Sequence, residues 1–244
     1  MDIVKEAQWV FDTEIAALQA TKASLGEDFE TIVRLVVNCT GKVIITGMGK
    51  PGHIGTKIAA SLASLGTPSF FMHPGEAMHG DLGMVAENDV VILMSYSGES
   101  DEIVRLLPVL HEIHCTTVAI TGNPKSTLAM GCQHHFCFPH FEEACYMHLA
   151  PTSSTTALLV LGDAIAVVAS KLRNYTKSDF PRINKIIETV EAERSFCDAL
   201  FGKYGSKQFL DKCCEINRQD ITNEWRQKYP GLDDLTLNTT YTFM

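Results

Sequence analysis

Two short apolar runs in this chain each end in a loop of glycine, serine and lysine residues. The first run, residues 43–46, leads into Gly47-Met48-Gly49-Lys50-Pro51-Gly52-His53. The second, residues 90–94, leads into Ser95-Tyr96-Ser97-Gly98-Glu99-Ser100. Hydroxyl groups, a lysine and the free backbone N–H groups of such loops are the groups that bind oxyanions. The two loops therefore predict an anion site, and we expect the anion to be a phosphate.

The second loop carries the stronger signal. A single serine before a helix is usually only an N-terminal cap. Here Ser95, Ser97 and Ser100 fall within six residues at a strand end, around the flexible Gly98, and this density favours phosphate binding. Gly49 of the first loop is a further candidate for the anion. Because the glycine pattern is neither the dinucleotide fingerprint nor a Walker motif, nicotinamide cofactors and nucleoside triphosphates are disfavoured.

Acidic side chains next to the second loop could transfer protons. Glu99, Asp101 and Glu102 lie in the first turn of the helix that we expect to follow. Acids at that position stabilise the helix dipole, which is sufficient to explain two of them. A carboxylate beside a bound phosphate would repel it unless it faced another part of the ligand. One of the three, Glu102 by preference, is therefore a candidate proton-transfer base.

Other loops contain further candidates. His79 follows the second predicted strand; a loop histidine next to glycine is often only solvated, but it could also act in catalysis. The pair Glu142-Glu143 lies on the side of the sheet where the ligand is expected. Cys132-Gln133-His134-His135-Phe136-Cys137 superficially resembles a metal cluster, yet alternation along a strand points these side chains to opposite faces. We therefore predict no metal site there.

Composition limits the class of protein. The chain of 244 residues is 45% hydrophobic and 20% charged, and it can bury a full core. A formal net charge of −9 argues against a general nucleic-acid binder. The N-terminus lacks the features of a signal peptide, and the apolar stretch 157–169 is too short to span a bilayer. We expect a cytoplasmic protein with reduced cysteines and without a membrane or nucleic-acid partner.

The pattern of apolar residues predicts the elements that carry these loops. Helices are expected over residues 2–39, with a break at Gly26, and from Thr152 to about Arg173. The second of these is apolar on nearly every side, so it should be buried beside a subunit interface. Strands alternating with helices in between indicate a parallel sheet covered on both faces, with ligands at the carboxyl ends of its strands. The predicted strands are 42–46, 69–72, 89–95, 116–121 and 134–138, and the helices between them are 53–65, 100–114 and 126–131.

Four segments in this order resemble the sugar-isomerase (SIS) domain and, within it, the arabinose-5-phosphate isomerase family. The resemblance covers about residues 40–180, and the combination is highly specific. The matching segments are Gly47-Met48-Gly49-Lys50-x-Gly52-His53-Ile54-Gly55, His73-Pro74-x-Glu76-Ala77-x-His79-Gly80-Asp81-Leu82-Gly83-Met84, Ser95-x-Ser97-Gly98-Glu99-Ser100-x-Glu102-Ile103, and Glu143-Ala144-Cys145 followed by Leu149-Ala150-Pro151-Thr152-Ser153-Ser154-Thr155-Thr156.

The resemblance implies a flavodoxin-like, doubly wound parallel sheet of five strands and a homotetramer with shared active sites. It implies reversible interconversion of D-ribulose 5-phosphate and D-arabinose 5-phosphate, whose product feeds Kdo synthesis for lipopolysaccharide or capsule. The functional positions of the family match at Lys50, His79, Glu102 and Glu143. Its phosphate-binding positions match at Ser95, Ser97 and Ser100, with support from Thr152 and Ser153.

The resemblance also suggests a mechanism. The serines hold the 5-phosphate while Glu102 moves a proton between adjacent carbons through a cis-enediol. Lys50 stabilises charge that develops on the oxygens, and His79 shuttles a proton or assists ring opening. Two alternatives are open for Glu143: it acts as the base in place of Glu102, or it holds a sugar hydroxyl. Since proton transfer and oxyanion stabilisation suffice for this chemistry, no metal or cofactor is expected.

The chain departs from the family pattern in two places. Where the family continues with Ser-His-Pro-Gly-Gly, this chain has Asp179-Phe180-Pro181-Arg182-Ile183-Asn184, so a histidine is absent. The paired CBS domains that commonly follow are missing, as in the shorter members. We expect a SIS domain over residues 1–180 and a helical C-terminal extension over residues 181–244. The alternatives are a non-catalytic sensor of a sugar phosphate or nucleotide sugar, and an isomerase of another phosphosugar.

Overall fold

The computed structural model describes residues 1–176 and residue 179. In this part of the chain five strands form a parallel sheet in the spatial order β2-β1-β3-β4-β5, where the strands are β1 (Val43–Gly47), β2 (Ser69–Phe71), β3 (Val90–Met94), β4 (Thr116–Thr121) and β5 (His134–Cys137). Each predicted strand is present to within two residues at either end. The order is that of flavodoxin-like sheets, so the expected doubly wound α/β fold is confirmed.

Helices cover both faces of this sheet. They are α1 (Ile3–Ala23), α2 (Glu27–Asn38), α3 (Lys50–Ser64), α4 (Pro74–Ala77), α5 (Asp101–Val104), α6 (Leu107–Ile113), α7 (Thr127–Gly131) and α8 (Ser153–Leu172), with a 3-10 helix at Asp81–Met84. The short helix α4 and the 3-10 helix occupy a region that the sequence predicted as a loop. The break between α1 and α2 lies at the predicted glycine, Gly26.

The alternation of side chains along the strands divides the interior into two cores. Ile45 and Ile92 face a core that also contains residues of α2, α3 and α8. Ile44 and Leu93, one position along, face a second core with residues of α5, α6 and α7. Both central strands, β1 and β3, are buried at all five positions, which explains why they appear in the sequence as continuous apolar runs.

The predicted helix over residues 100–114 is divided in two. Helix α5 is a single turn that ends at Val104, and α6 begins at Leu107 with Pro108 in its first turn. Proline has no N–H to donate to the carbonyl four residues earlier, and its ring disfavours a helical residue before it. The break means that the serine-rich loop leads into a four-residue helix rather than a long one.

Helix α8 confirms the prediction of a long apolar helix ending near Arg173. It is 20 residues long, longer than the apolar stretch 157–169 identified in the sequence, and by length and composition alone it could cross a membrane. However, α8 packs against α1, α2 and α3, and its Asp163 pairs with Lys57 of α3. Packing in the core accounts for the apolar residues on its buried side.

Apolar side chains of α1 and α8 remain at the surface of the described part. On α1, Phe11 and Ile15 are exposed, and on α8 Val160 and Val167 are about half exposed. Ile3 and Val4, at the start of α1, are exposed as well. Residues 181–244, predicted as a helical extension, lie outside the described residues.

Candidate functional site

The two loops predicted to bind an anion follow β1 and β3, which are neighbours in the sheet. The chain leaves β1 towards one edge of the sheet and β3 towards the other, so these strand ends form a topological switch point, where such sheets bind ligands. A cavity of about 230 Å³ opens there. It is lined by Met48, Pro51, Met94, Ser95, Tyr96, Ser97, Ser100, Ile120, Phe138, Pro151, Ser154, Thr155 and Leu158.

The three predicted serines share the wall of this cavity and bond to one another. The hydroxyl of Ser95 lies 2.8 Å from that of Ser100 and 3.5 Å from that of Ser97. The Ser95 hydroxyl also accepts the backbone N–H of Gly98 at 3.1 Å, which folds the loop back on the end of β3. The structure therefore brings together the hydroxyls that the sequence identified as a phosphate site.

Gly98 has a conformation that only glycine adopts without strain. Its φ is +70°, and a Cβ at this position would lie 2.1 Å from the hydroxyl oxygen of Ser126. The same hydroxyl caps α7 by accepting the N–H of Ala129. Gly98 thus fits the loop against the start of α7. Gly49, the other predicted glycine, also has a positive φ of 63° and immediately precedes α3.

The acids beside the serine loop have different partners. Glu99 accepts the backbone N–H of Thr127 at the start of α7 at 2.8 Å, and this hydrogen bond lowers the pKa of its carboxyl. Asp101 lies 3.7 Å from Arg105 one turn along. The exposed carboxylate of Glu102 takes part in neither contact. The preference for Glu102 as the proton-transfer base stays a prediction.

Glu143 lies in the loop between β5 and α8 and caps α8. Its Oε2 accepts the backbone N–H of Thr152 at 2.6 Å, the hydroxyl of Thr152 at 3.0 Å and the N–H of Ser154 at 3.3 Å. The Thr152 hydroxyl in turn accepts the N–H of Ala144 at 2.8 Å. The predicted site residue Thr152 is thus occupied in holding the loop and helix together.

The neighbouring serines on α8 differ in position. Ser153, predicted to support the phosphate, is fully buried and does not line the cavity, whereas Ser154 lines it. Sequence analysis missed Ser154. The hydroxyl-rich run gave a signal for the region, but which residue faces the ligand depends on how the helix start is oriented by Glu143.

Lys50 and His79 lie outside the cavity wall among the described residues. Lys50 is exposed in the first turn of α3, directly after the β1 loop, and His79 is exposed between α4 and the 3-10 helix. Both follow strands at the carboxyl edge of the sheet, as does Glu102. All three therefore follow strand ends at this edge of the sheet, and none of them lines the cavity.

Aromatic side chains form part of the cavity that the sequence did not predict. The ring of Tyr96 lies 6.4 Å from that of Phe138 and 5.7 Å from that of Phe141, measured between centroids. Burial raises the pKa of the Tyr96 hydroxyl, and the charge of Glu143 raises it further. The cavity lining therefore combines aromatic and aliphatic side chains with hydroxyl groups.

Metal ligands do not converge in the described residues: within 1–176 and at 179, no group of three or more His, Cys, Asp or Glu side chains could hold an ion. The described cysteines are free thiols. Burial raises the pKa of Cys115 to about 11 and that of Cys132 to about 12, so both remain protonated near neutral pH. They behave as small apolar residues.

Comparison with curated proteins identifies relatives of this architecture. Arabinose 5-phosphate isomerase KdsD of Salmonella typhi is 50% identical over 179 residues, and the protein of that name from Escherichia coli strain K12 is 49% identical over 179 residues. The alignments cover 73% of this chain, and the chain spans 55% of the length of either relative.

A solved structure agrees with the sequence relatives. The Escherichia coli CFT073 protein c3406, in complex with arabinose 5-phosphate, has a TM-score of 0.73 and 40% sequence identity to this chain. The similarity covers 75% of this chain and 97% of that one. The profile of the SIS domain family also matches residues 37–168, more than half of the chain. This protein therefore belongs to the SIS domain family.

Proposed function

We propose that this protein is an aldose–ketose isomerase that interconverts D-ribulose 5-phosphate and D-arabinose 5-phosphate. The observation that carries the proposal is the cavity at the β1/β3 switch point, with Ser95, Ser97 and Ser100 in its wall. Two observations support the choice of substrate. The chain has 49–50% sequence identity to proteins named arabinose 5-phosphate isomerase, and the similar protein c3406 forms a complex with arabinose 5-phosphate.

In the proposed reaction the three serines hold the terminal phosphate, and the open-chain sugar extends towards Glu102. Glu102 removes a proton from C1 of the ketose, the electron pair forms the C1=C2 bond, and the carbonyl oxygen takes up a proton to give the cis-enediol. The proton is then returned to C2 while the O1 proton leaves, which yields the aldose. Lys50 stabilises the charge on the oxygens, and His79 relays a proton between them.

Glu143 has a smaller part in this mechanism than Glu102. Its Oε2 already accepts three hydrogen bonds at the start of α8, so that oxygen is occupied. We assign Glu143 to the orientation of α8, with its second oxygen available for a sugar hydroxyl. No metal or cofactor enters the proposed steps.

The wider setting of the reaction is also a proposal. The aldose product would feed Kdo synthesis for lipopolysaccharide or capsule, in the cytoplasm. Exposed apolar side chains on α1 and α8 support an assembly of several copies, and a homotetramer with shared active sites is the expected form. Size-exclusion chromatography with light scattering measures the mass of the assembly directly.

The test of function is incubation of the full chain with D-ribulose 5-phosphate and detection of D-arabinose 5-phosphate by NMR. We expect Lys50→Ala and Glu102→Gln to lower kcat by about a hundredfold or more, as loss of an acid–base group does. Lys57→Ala on the same helix α3, and Asp101→Asn next to Glu102, are matched controls that should keep turnover. If both site variants keep full turnover, the assignment of Lys50 and Glu102 is wrong.

A non-catalytic sugar-phosphate sensor is the second candidate, because the chain lacks the histidine segment of the family. Tight binding of D-arabinose 5-phosphate without turnover favours this candidate. The third candidate is an isomerase with another substrate. Turnover assays with a panel of hexulose and heptulose phosphates distinguish it from the other two.

A further inference from the structure

The hydroxyl groups at the start of α8 differ in whether they have partners. Thr152 uses its hydroxyl to bond Glu143 and Ala144. Thr155 lines the cavity, but its hydroxyl bonds the carbonyl oxygens of Pro151 and Thr152 at 3.2 and 2.9 Å. Ser153 and Ser154 are both buried and have no hydrogen-bond partner for their hydroxyls.

Only one of these two unpartnered serines belongs to the cavity. Ser154 is 4% exposed and lines the cavity, as do Ser95, Ser97 and Ser100. Ser153 is 0% exposed and is not part of the lining. A buried hydroxyl without a partner costs free energy in the unliganded protein, so such groups usually bond a water or a ligand.

The position of Ser154 suits an anion. It lies in the first turn of α8, a helix of 20 residues whose first N–H groups carry a partial positive charge. The helix after the serine loop, α5, has only four residues and contributes much less of this field. Glu143 already accepts the backbone N–H of Ser154, so the hydroxyl is the group of Ser154 that remains without a partner.

We propose that the hydroxyl of Ser154 donates a hydrogen bond to the terminal phosphate of the substrate, as a fourth hydroxyl beside Ser95, Ser97 and Ser100. The phosphate is then held between the serine loop and the start of α8. This inference rests on the proposed sugar-phosphate function. It moves the contribution of α8 from Thr152 and Ser153, which the sequence favoured, to Ser154.

The test compares Ser154→Ala with Ser153→Ala in the full chain. Titration calorimetry with D-arabinose 5-phosphate should show Kd raised by about tenfold to a hundredfold in Ser154→Ala, the range for a hydrogen bond to a charged group. Ser153→Ala should keep Kd within about twofold, since its hydroxyl does not reach the cavity. Thermal unfolding without ligand should show both variants at least as stable as the wild type, because each loses an unpartnered buried hydroxyl.

Competition by inorganic phosphate identifies which part of the ligand Ser154 contacts. The inhibition constant of phosphate should rise in Ser154→Ala by a factor similar to that for the sugar phosphate. If the sugar phosphate weakens while inorganic phosphate does not, Ser154 contacts the sugar and the inference is wrong. Ser154→Thr, which keeps the hydroxyl, checks that loss of binding in the alanine variant does not arise from altered packing.

The outcomes separate this inference from the proposed function. Unchanged Kd in Ser154→Ala, with turnover intact in the wild type, overturns the role of Ser154 and leaves the isomerase standing. A wild type that binds D-arabinose 5-phosphate through Ser154 without turnover supports the inference and overturns the isomerase. If the wild type binds neither D-arabinose 5-phosphate nor inorganic phosphate, both proposals fail.

Discussion

The carboxylate of Glu143 and the backbone N–H of Thr152, nine residues later, form a hydrogen bond of 2.6 Å that closes the loop between β5 and α8. The Thr152 hydroxyl bonds the same carboxylate oxygen at 3.0 Å. An acid placed at the N-terminus of a helix satisfies free N–H groups and interacts favourably with the helix dipole. Glu143 therefore sets the orientation of the helix that carries Ser154.

This contact predicts different effects for two substitutions at position 143. Glu143→Ala removes the cap, and we expect the free energy of unfolding to fall by about 1–2 kcal/mol, as for other lost caps. Glu143→Gln keeps an oxygen that can accept the same N–H groups, so it should lose less stability. Urea denaturation measures both values.

The same two variants separate orientation from proton transfer. With Glu102 as the base, Glu143→Gln should keep a larger share of kcat than Glu102→Gln does. Glu143→Ala should lose turnover together with substrate affinity, because α8 loses its cap and Ser154 its position. If Glu143→Gln is as inactive as Glu102→Gln while remaining folded, the charge of Glu143 takes part in the chemistry and the assignment to orientation fails.

How much of this site can be predicted from sequence depends on the range of the interactions that form it. Ser95, Ser97 and Ser100 come together because they lie within six residues after a buried strand, and a local pattern reveals them. The orientation of the α8 start that carries Ser153 and Ser154 involves a contact with Glu143, eleven residues before Ser154. No spacing rule for serine and threonine contains that information.

The fold also has some elements that a local sequence pattern predicts and others that it does not. The strands β1 and β3 were predictable because residues buried on both faces must be apolar throughout. The prediction of a single helix over residues 100–114 was wrong, although the break has a local cause at Pro108. The apolar pattern continues through the break because α5 and α6 face the same core, so periodicity alone could not detect it.

Gly98→Ala tests the fit of the serine loop against α7. An alanine at this position would keep a positive φ, and its Cβ would lie 2.1 Å from the Ser126 hydroxyl oxygen. We expect a loss of about 1–3 kcal/mol in the free energy of unfolding, the range for strained backbone, and weaker binding of D-arabinose 5-phosphate. The changes in the unfolding free energy and in Kd are measured on the same preparation.

Gly83→Ala is the control for that substitution, because a Cβ there meets nothing within 4 Å. It should change stability by less than about 1 kcal/mol and leave Kd unchanged. Equal losses in the two variants would show that the contact between Gly98 and Ser126 is not what shapes the loop.

The buried carboxylate of Asp89 predicts a pH dependence of stability. Burial alone would raise its pKa, but the backbone N–H groups of Lys42 and Ala86 and the Lys42 ammonium outweigh burial, and the pKa falls below its usual value. The Oδ1 accepts the N–H of Lys42 at 2.7 Å, and the Oδ2 accepts that of Ala86 at 2.9 Å. A group with a lowered pKa in the folded state stabilises the protein above its unfolded pKa and loses that effect as pH falls.

Asp89→Asn measures this contribution. At pH 7 we expect the variant to be less stable by about 1–3 kcal/mol, since a charged, buried acceptor is lost. The difference from the wild type should stay constant down to about pH 5 and then shrink as the pH passes below the ordinary aspartate pKa of 3.8. A difference that stays the same between pH 7 and pH 3 would contradict the ionised state of Asp89.

Arg173, directly after α8, holds the end of α2 with its guanidinium group. Its Nε donates to the carbonyl oxygen of Val37 at 3.1 Å, and its Nη1 donates to the Thr67 hydroxyl at 2.8 Å. Its Nη2 donates to the carbonyl oxygens of both Val36 and Val37. These carbonyls belong to the last turn of α2, where no further N–H of the helix can reach them.

Substitution of Arg173 should therefore loosen α2 more than its position at a helix end suggests. We expect Arg173→Ala to lower the free energy of unfolding by about 2–4 kcal/mol, because several bonds to one charged group are lost together. Arg173→Lys should recover only part of this, since an ammonium cannot reproduce the planar fork. Lys171→Ala, at an exposed position in the last turn of α8, should have little effect. Hydrogen exchange provides the local readout: the amides of α2 should exchange faster in Arg173→Ala than in Lys171→Ala, and equal rates would show that Arg173 does not anchor α2.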